Sequence, residues 1–381
     1  MMTQIFKQNS ILNMRAKISL WRKSVLMIHD FGKGIFSKVI TLLILLVILS
    51  FYYNLFILNQ VQKYVNHKIN PFSPYIHPER KFPFHIYIAS LYHNETYAFA
   101  IRASVLSPYF HKLILVTSPI SHSNQKLGPP IFTPFDDLVR CLKNRLVIYN
   151  AKTDHSQISY DIEKFQRNQI YDVLKLLNAK PNDIVYVSDC DEIPLAPILD
   201  DIIVKPPSPL IYYGANKYDF SFRWLTEKGW PQPYFVRFSY LKGPKDIESI
   251  FHPPSLFYKG IINSDYIIHI SSGMGSLHGI LIKLQTFAQA FNFNYPPIND
   301  INHIYARAAC GEDYLGRGYK FSLQEPFNES LIPILKDPRM KILNEKIPFN
   351  DLETLNLTKV IQYNACSEAV EYLRKFQSTL E

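Results

Sequence analysis

An uncharged apolar run near the N-terminus constrains the fold of this 381-residue chain more than any other feature. From Val39 to Leu58 the sequence reads VITLLILLVILSFYYNLFIL, which supplies the roughly 20 apolar residues that a helix needs to cross a bilayer. The run has no polar face, so a buried core helix explains it less well. We therefore predict a transmembrane helix at 39–58 that follows a basic tail at 1–38.

The charges that flank this run predict its orientation. The tail carries Lys7, Arg15, Lys17, Arg22, Lys23, Lys33 and Lys38, opposed only by Asp30. By the positive-inside rule the N-terminus lies in the cytosol and the rest of the chain lies outside it. A cleaved signal peptide is the alternative, but its apolar region is shorter and a small-x-small site follows it. We favour an uncleaved, single-pass type II anchor.

Composition and cysteine spacing exclude some classes. The net charge of +9 invites nucleic-acid binding. The tail, with seven basic residues and one acid, supplies most of that net charge, and no stripe of Lys and Arg occurs elsewhere, so we expect no nucleic-acid partner. The four cysteines include no CxxC pair, which argues against a zinc knuckle. Disulfides are permitted, although their pairing does not follow from the sequence. Sequons at Asn94, Asn328 and Asn356 fit a luminal domain.

Beyond the membrane run, residues 59–81 are polar and contain proline, and they are interpreted as a stem. Residues 82–381 alternate between strand-like and helix-like runs, which predicts one α/β domain. The Ile184–Ser188 run is apolar on both faces, as in a central parallel strand. The other predicted strands are His85–Ala89, Leu113–Thr117 and Leu146–Tyr149. The predicted helices are Asp161–Leu177 and Leu277–Phe291.

An acidic motif follows the central strand. Residues Ser188–Pro194 read SDCDEIP, and open α/β sheets bind ligands at the carboxyl ends of such strands. In an extended chain Asp189 and Asp191 point the same way, while Cys190 points into the sheet. Neighbouring carboxylates repel unless a cation joins them, and hard oxygen ligands suit Mn²⁺ or Mg²⁺. We predict a metal site of Asp189, Asp191 and Glu192 that bridges the diphosphate of a nucleotide sugar.

The same motif also occurs in two settings that are not transferase metal sites. One is a solvated acidic turn after a strand. The second is the haloacid-dehalogenase-type phosphatases, which also begin with two such aspartates after a strand. These phosphatases usually have Thr or Val two positions after the second Asp, where this chain has Ile193. The motif also lies deep in the chain rather than near a domain start, so we favour a transferase.

From about Phe84 to Arg339 the chain resembles glycosyltransferase family 17, the family of the β-1,4-mannosyl-glycoprotein 4-β-N-acetylglucosaminyltransferases. The matching segments are Gln166–Asn168, Asn182–Pro194, Asn94-Glu95 with Arg102, Ile267–Ser271 and Gly279–Leu284. The resemblance implies a GT-A-like nucleotide-sugar fold, UDP-GlcNAc as donor, Mn²⁺ dependence and inversion at the anomeric carbon. It also implies a type II Golgi membrane protein that acts on protein-linked N-glycans. Ile267-Ile268 replaces the family's Gly-Trp, which bears on acceptor choice.

The candidate site residues fall into two groups. The residues predicted to bind the nucleotide sugar are Arg167, Asn168, Ser188, Asp189 and His269. An inverting transfer also needs a base for the acceptor hydroxyl, and Glu312 and Asp313 are the candidates, with a helix-capping or exposed acidic pair as the alternative. Further candidates for phosphate binding are the backbone N–H groups of Ser271, Ser272, Gly273 and Gly275. Trp224 and Trp230 are candidates for sugar stacking, or they fill the core.

Three functions are compatible with the sequence. The first is an active N-acetylglucosaminyltransferase. The second is a related transferase with another donor or acceptor. The third is a catalytically inactive, membrane-tethered glycan-binding homologue.

Overall fold

The computed structural model describes residues 41, 44–57, 72–152, 159–231, 233–251, 261–272, 275–287, 292, 296–315, 317–349 and 351–379. The chain divides into Met1–Ile69 and a compact unit, Asn70–Glu381. The predicted membrane run falls only partly within the described residues, where 44–57 are helical. Among the residues described, none of the helices combines the length and the apolar character needed to span a bilayer.

The compact unit is a mixed α/β fold, which confirms the predicted α/β class. Its strands are β1 Ile86–Leu91, β2 Lys112–Thr117, β3 Leu146–Asn150, β4 Ile184–Val187, β5 Glu192–Pro194, β6 Leu210–Asp219, β7 Trp224–Trp230, β8 Tyr234–Arg237, β9 Ile262–Ser271 and β10 Ser322–Leu323. Its helices are α1 Thr96–Leu106, α2 Asp136–Leu142, α3 Ser159–Leu176, α4 Ala196–Val204, α5 Pro244–Phe251, α6 Leu277–Thr286, α7 Ile301–Ala308, α8 Leu357–Gln362 and α9 Ser367–Ser378.

The strands form one sheet with a parallel half and an antiparallel half. β3, β2, β1 and β4 are neighbours in that order and run parallel. Helices α1, α2 and α3 connect these strands, because parallel strands need a crossover. From β4 the sheet continues through β8, β6, β7 and β10 in antiparallel pairs. β9 pairs in parallel with β6 and antiparallel with β5.

Both faces of β1, β2 and β4 are covered, which explains why these strands are almost entirely apolar, while the edge strand β3 is only partly buried. Side chains alternate along β1, so that Ile86 and Ile88 join one hydrophobic cluster while Tyr87 and Ala89 join another. Helices α1, α2 and α4 pack on the first face, and α3 and α5 pack on the second. The parallel half is therefore a three-layer α/β/α arrangement.

The C-terminal part forms a third hydrophobic cluster with α6, α7, α8 and α9. Cys310, just after α7, is disulfide-bonded to Cys366, which caps α9. The second predicted helix begins as expected at Leu277 but ends at Thr286, while 288–291 lie outside the described residues.

Candidate active site

A cleft of about 680 Å³ opens at the carboxyl ends of β1 and β4. Chain order reverses between these two strands, and open α/β sheets bind ligands at such a switch point. Residues His93–Tyr97 after β1 and Asp189–Asp191 after β4 line the cleft, together with residues of α6. Its volume lies within the roughly 300–1,000 Å³ typical of small-molecule sites.

The acidic motif is a turn here, not the extended segment predicted. The Glu192 amide donates to the Asp189 carbonyl at 3.1 Å, and β5 then begins and pairs with β9. Both Asp189 and Asp191 nevertheless line the cleft. The Cys190 side chain packs in the cluster of the first sheet face, as predicted.

Asp189 is held from behind by Arg167 of α3. The Arg167 Nη1 atom lies 3.0 Å from Asp189 Oδ1, and the guanidinium also pairs with Glu163 at 2.6 Å and Glu248 at 3.0 Å. Burial alone lowers the pKa of Arg167, but these three carboxylates raise it above its usual range. Arg167 is fully buried over the Phe251 ring, so it positions Asp189 and does not itself line the cleft.

Asp191 lies between two nitrogen groups of the cleft wall. The Lys283 Nζ atom of α6 is 3.2 Å from Asp191 Oδ2, and His269 Nε2 of β9 is 3.6 Å from Oδ1. Burial raises the pKa of the Asp191 carboxyl, but Lys283 and His269 outweigh burial and hold it well below its usual range. Asp191 is therefore an ionised carboxylate, and the structure brings the predicted residue His269 to it.

Arg102 of α1 holds the backbone of the motif. Its guanidinium is fully buried and donates through Nε to the Cys190 carbonyl at 2.9 Å. Its Nη2 atom donates to the Glu192 carbonyl and the Ser188 hydroxyl, each at 2.6 Å, and to the Asp189 carbonyl. One side chain on α1 therefore fixes the turn that presents both aspartates.

Glu192 corrects the prediction of three metal ligands. Its Oε2 atom accepts from the Asp189 amide at 2.9 Å, and Oε1 accepts from the Trp230 indole at 2.8 Å. The residue is fully buried and does not line the cleft, and burial raises its pKa to about 7. The chain reverses direction after Asp189, so the Glu192 carboxyl group points into the protein. There it closes the turn by accepting from the Asp189 amide.

Two predicted sugar-nucleotide ligands also lie behind the cleft. Ser188 is buried and donates to the Asp189 carbonyl at 3.0 Å. Asn168 accepts from the Glu248 amide at 3.2 Å and so ties α3 to α5. Neither residue lines the cleft. The sequence pattern places Ser188 at the end of a strand and Asn168 on a helix. That pattern does not show whether their side chains face a ligand or the protein interior.

The predicted bases Glu312 and Asp313 do not line the cleft either. Glu312 pairs with Arg307 at 2.6 Å. Asp313 is buried and accepts from Arg317 Nε and Nη2, each at 2.9 Å. Arg317 does line the cleft, so Asp313 positions a cation there. This contact depends on tertiary folding that the acidic pair alone does not reveal.

Several cleft residues were not predicted from the sequence. They are the cations Lys217 and Arg317 and the carboxylates Glu163 and Asp219, whereas Glu95 and Lys283 lie in segments that match the family. For Lys283 a clue existed, since it lies on the apolar side of α6 beside Ile280 and Leu284, where a charge needs a partner. For Lys217 and Asp219 the local sequence gives no comparable clue.

The start of α6 is already occupied by a carboxylate. Asp351 accepts from the Leu277 amide at 2.8 Å, the His278 amide at 2.9 Å and the Ser276 hydroxyl at 2.8 Å. A carboxylate at a helix N-terminus satisfies the N–H groups that would otherwise bind phosphate. The amides of Leu277 and His278 are therefore not free to bind phosphate. The predicted role of Ser271, Ser272 and Gly275, just before the helix, stays a prediction, and Gly273 lies outside the described residues.

The two candidate tryptophans have different surroundings. Trp224 is buried in the C-terminal cluster and donates to the Lys346 carbonyl at 2.8 Å. Trp230 lines the cleft, and the Lys217 ammonium lies 4.3 Å from its ring centroid. Only Trp230 of this pair can contact a ligand in the cleft.

The motif can hold a cation only in part. Among the described residues, no group of three His, Cys, Asp or Glu ligand atoms within 4.8 Å of one another includes a residue of the motif. Asp189 and Asp191 still offer carboxylate oxygens to the cleft, and hard divalent cations complete such partial sets with water and substrate phosphate. The metal role predicted for Asp189 and Asp191 therefore stays a prediction, and Glu192 is not available for it because its carboxylate faces away from the cleft.

Comparison with known proteins bears on this cleft. The model described as Glycosyltransferase family 17 matches residues 58–239, which confirms the resemblance over that range. The segments Ile267–Ser271 and Gly279–Leu284 lie beyond the match, and their resemblance stays a prediction. No curated protein matches the chain. A crystal structure of 4-diphosphocytidyl-2C-methyl-D-erythritol synthase shares 11% identity, covers 49% of this chain and 91% of its own, and has a TM-score of 0.27. The structure of the inositol-1-phosphate CTP transferase from T. maritima shares 8% sequence identity. It covers 50% of this chain and 86% of its own, and has a TM-score of 0.23.

Proposed function

A glycosyltransferase family 17 model matches residues 58–239 of this chain, and from that match we propose that the chain transfers N-acetylglucosamine from UDP-GlcNAc to a mannose of a protein-linked N-glycan. The donor, the acceptor, inversion and a GT-A-like fold are what the family resemblance implies. The observation that carries the proposal is the cleft at the β1–β4 switch point, whose wall includes both Asp189 and Asp191.

Cationic side chains in the cleft support a diphosphate ligand. Lys217, Lys283 and Arg317 all line it, and such groups form charge-assisted hydrogen bonds to phosphate oxygens. Trp230 supports a sugar ligand, because the Glu192 carboxylate fixes its indole N–H at 2.8 Å. An aromatic ring held in one orientation can stack on the apolar face of a sugar.

We assign the divalent cation, Mn²⁺ or Mg²⁺, to Asp189 and Asp191. The assignment is supported by their carboxylate oxygens and by the place of both residues on the cleft wall. When bound, the cation would supply charge neutralisation for the departing diphosphate. Arg167 orients the Asp189 carboxylate, and Lys283 and His269 orient that of Asp191.

Asp219 replaces Glu312 and Asp313 as the proposed base. It ends β6 on the cleft wall, and one of its oxygens accepts from the Thr226 hydroxyl at 2.6 Å. A base must reach the acceptor hydroxyl directly or through one water, and Asp219 meets this requirement better than acids outside the cleft. Glu95 also lines the cleft, but its carboxylate folds back onto the His93 amide at 2.7 Å.

We further propose that the chain is a type II Golgi membrane protein with its catalytic domain in the lumen. The apolar run at 39–58 and its basic flank support the anchor. The Cys310–Cys366 disulfide fits an oxidising compartment. Asn328 and Asn356 of the sequons are exposed, as acceptors of glycan must be.

The proposal is tested by a donor screen on the full chain in detergent. Nucleotide sugars are supplied with Mn²⁺ or Mg²⁺, and the released nucleotide is measured. We expect UDP-GlcNAc to be preferred and Asp191→Asn to reduce turnover by about 100-fold or more, on the scale of losing one charge-stabilising group. Asp201→Asn, at an exposed acid of α4, is the matched control and keeps full turnover.

The outcomes separate the three functions. A preference for another nucleotide sugar would refute the donor assignment while leaving a transferase. Saturable UDP-GlcNAc binding without turnover, with or without glycan acceptor, would indicate a binding homologue. Full turnover in a folded Asp191→Asn variant would remove the assigned role of the motif.

A further inference from the structure

A second cluster of ligand-type side chains lies at the amino edge of the sheet, away from the cleft. His85 directly precedes β1 and His111 directly precedes β2, while Glu79 comes from the segment before β1. Their ligand atoms all lie within 4.8 Å of one another. β1 separates this cluster from the cleft, and six residues of strand span about 20 Å.

The His111–Glu79 contact is a long hydrogen bond, and both contacts in this cluster are close to the separation of two ligands on one metal ion. Nδ1 of His111 is 3.3 Å from Glu79 Oε2, and Nδ1 of His85 is 3.6 Å from Oε1. Ordinary N–H···O bonds are about 2.7–3.2 Å long. Two ligands on one tetrahedral Zn²⁺, each about 2.0–2.1 Å from the ion, lie about 3.3 Å apart.

Backbone hydrogen bonds fix the main chain that carries these three side chains. The His111 amide donates to the Ile86 carbonyl at 2.8 Å, and the His85 amide donates to the Asp183 carboxylate at 2.8 Å. The segment that carries Glu79 is fixed on its far side by Arg80, whose amide donates to the Pro108 carbonyl at 2.8 Å. Each Nδ1 atom lies near the Glu79 carboxylate. The two imidazole rings stack with centroids 3.9 Å apart, so a small rotation of one ring about its side-chain torsions is needed for both Nδ1 lone pairs to meet at one ion.

We propose that Glu79, His85 and His111 form a second divalent-metal site, of the Zn²⁺ class, distinct from the site at Asp189 and Asp191. Two imidazoles and one carboxylate are a recognised Zn²⁺ ligand set that keeps a fourth position open. The side chains of His85, His111 and Glu79 are 49%, 31% and 30% exposed, so water or a solvent-borne group fills that position. The metal ties the segment before β1 to the sheet edge.

The test uses the full chain in detergent, stripped with a chelator and then titrated with Zn²⁺ or Co²⁺ alone. We expect one equivalent of Co²⁺ with the intense visible absorption of a four- or five-coordinate ion, and a metal-dependent rise in the unfolding temperature. His85→Gln and His111→Gln should weaken this binding by more than about 100-fold, because loss of even an outer partner of a metal ligand costs 10–100-fold. His77→Gln, an exposed histidine of the same segment, is the matched control and keeps the affinity.

Donor turnover with Mn²⁺ separates this proposal from the proposed function. Turnover in His85→Gln and His111→Gln should equal that of the unaltered chain, so loss of the Co²⁺ band with normal turnover supports the second site. A Co²⁺ band that persists in both variants, or that disappears with Asp191→Asn instead, would overturn it. So would an unaltered chain that binds no Co²⁺ after stripping.

Discussion

At the scale of single residues, the candidate active site depends on groups that do not touch the ligand. Arg102 and Glu192 are both fully buried and together satisfy the polar atoms of the motif turn. A buried cation without its acceptors lowers the stability of the folded protein, and so do buried acceptors without their donor. The two aspartates are therefore positioned by a network whose members cannot be exchanged one at a time.

Arg102→Met is the sharpest test of this network. It leaves the Cys190, Asp189 and Glu192 carbonyls without their donor, so we expect a loss of roughly 3 kcal/mol or more in the free energy of unfolding, since hydrogen bonds to charged groups contribute about 1.5–3 kcal/mol each. Donor turnover should fall at least tenfold at temperatures where the variant stays folded. Urea unfolding and nucleotide release measure the two effects.

Arg140→Met supplies the control for this variant, because the Arg140 side chain is 68% exposed on α2. It should leave both quantities near those of the unaltered chain. A folded Arg102→Met protein with normal turnover would mean that the turn keeps its shape without the guanidinium.

At the scale of elements, α6 connects the C-terminal cluster to the cleft. Leu277, Ile280 and Leu284 pack in that cluster, while Lys283 extends to Asp191. Asp351 fixes where the helix begins. The position of one cleft cation therefore depends on a carboxylate that is 68 residues further along the chain from it.

Asp351→Asn should loosen this helix. Loss of an N-terminal carboxylate costs about 0.5–2 kcal/mol, and we expect that decrease in the free energy of unfolding at pH 7, with a smaller decrease in turnover. Burial raises the pKa of Asp351, but its hydrogen bonds to the His278 and Leu277 amides outweigh burial and lower it below the ordinary value of 3.8. Asp351 thus contributes its full stability above about pH 4 and loses it as the pH falls through the lowered pKa.

The stabilities of the unaltered chain and Asp351→Asn should consequently converge in acid. Denaturant titrations from pH 7 down to about pH 3 measure the gap between them. Glu353→Gln, at an exposed acid two residues away, should show no gap at neutral pH. A gap that is constant across this range would show that the carboxylate charge is not what holds the helix start.

At the scale of the whole molecule, the sequence predicts what is local and misses what is distant. The apolar runs at Leu113–Thr117 and Ile184–Ser188 predict buried parallel strands, and the structure confirms both, because burial on two faces leaves a continuous local pattern. The extended conformation predicted for the motif was wrong. The turn is held by Arg102, which contacts Cys190 from 88 residues earlier in the chain, so the local sequence does not indicate it. Lys283 and Asp191 are 92 residues apart, and no periodicity encodes that pairing.

The Cys310–Cys366 disulfide is a contact of the same long-range kind, closing a separation of 56 residues around the C-terminal cluster. A cross-link of this loop length restricts the unfolded chain and typically contributes about 2–4 kcal/mol. We expect the Cys310→Ala/Cys366→Ala double variant to lose that amount in urea unfolding. The Cys141→Ala variant, at a cysteine outside the disulfide, should lose far less.

The number of free thiols tests both the Cys310–Cys366 disulfide and the proposed luminal location of the domain. Chain isolated from a cell's secretory pathway and denatured without reductant should expose the thiols of Cys141 and Cys190 to alkylation, with Cys310 and Cys366 reactive only after reduction. The oxidising lumen maintains such a bond, whereas cytosolic thiols stay reduced. If all four cysteines were alkylated without reductant, the disulfide would be absent from the mature protein. The double variant would then match the unaltered chain in stability, and the luminal location would rest on the apolar run and its flanking charges alone.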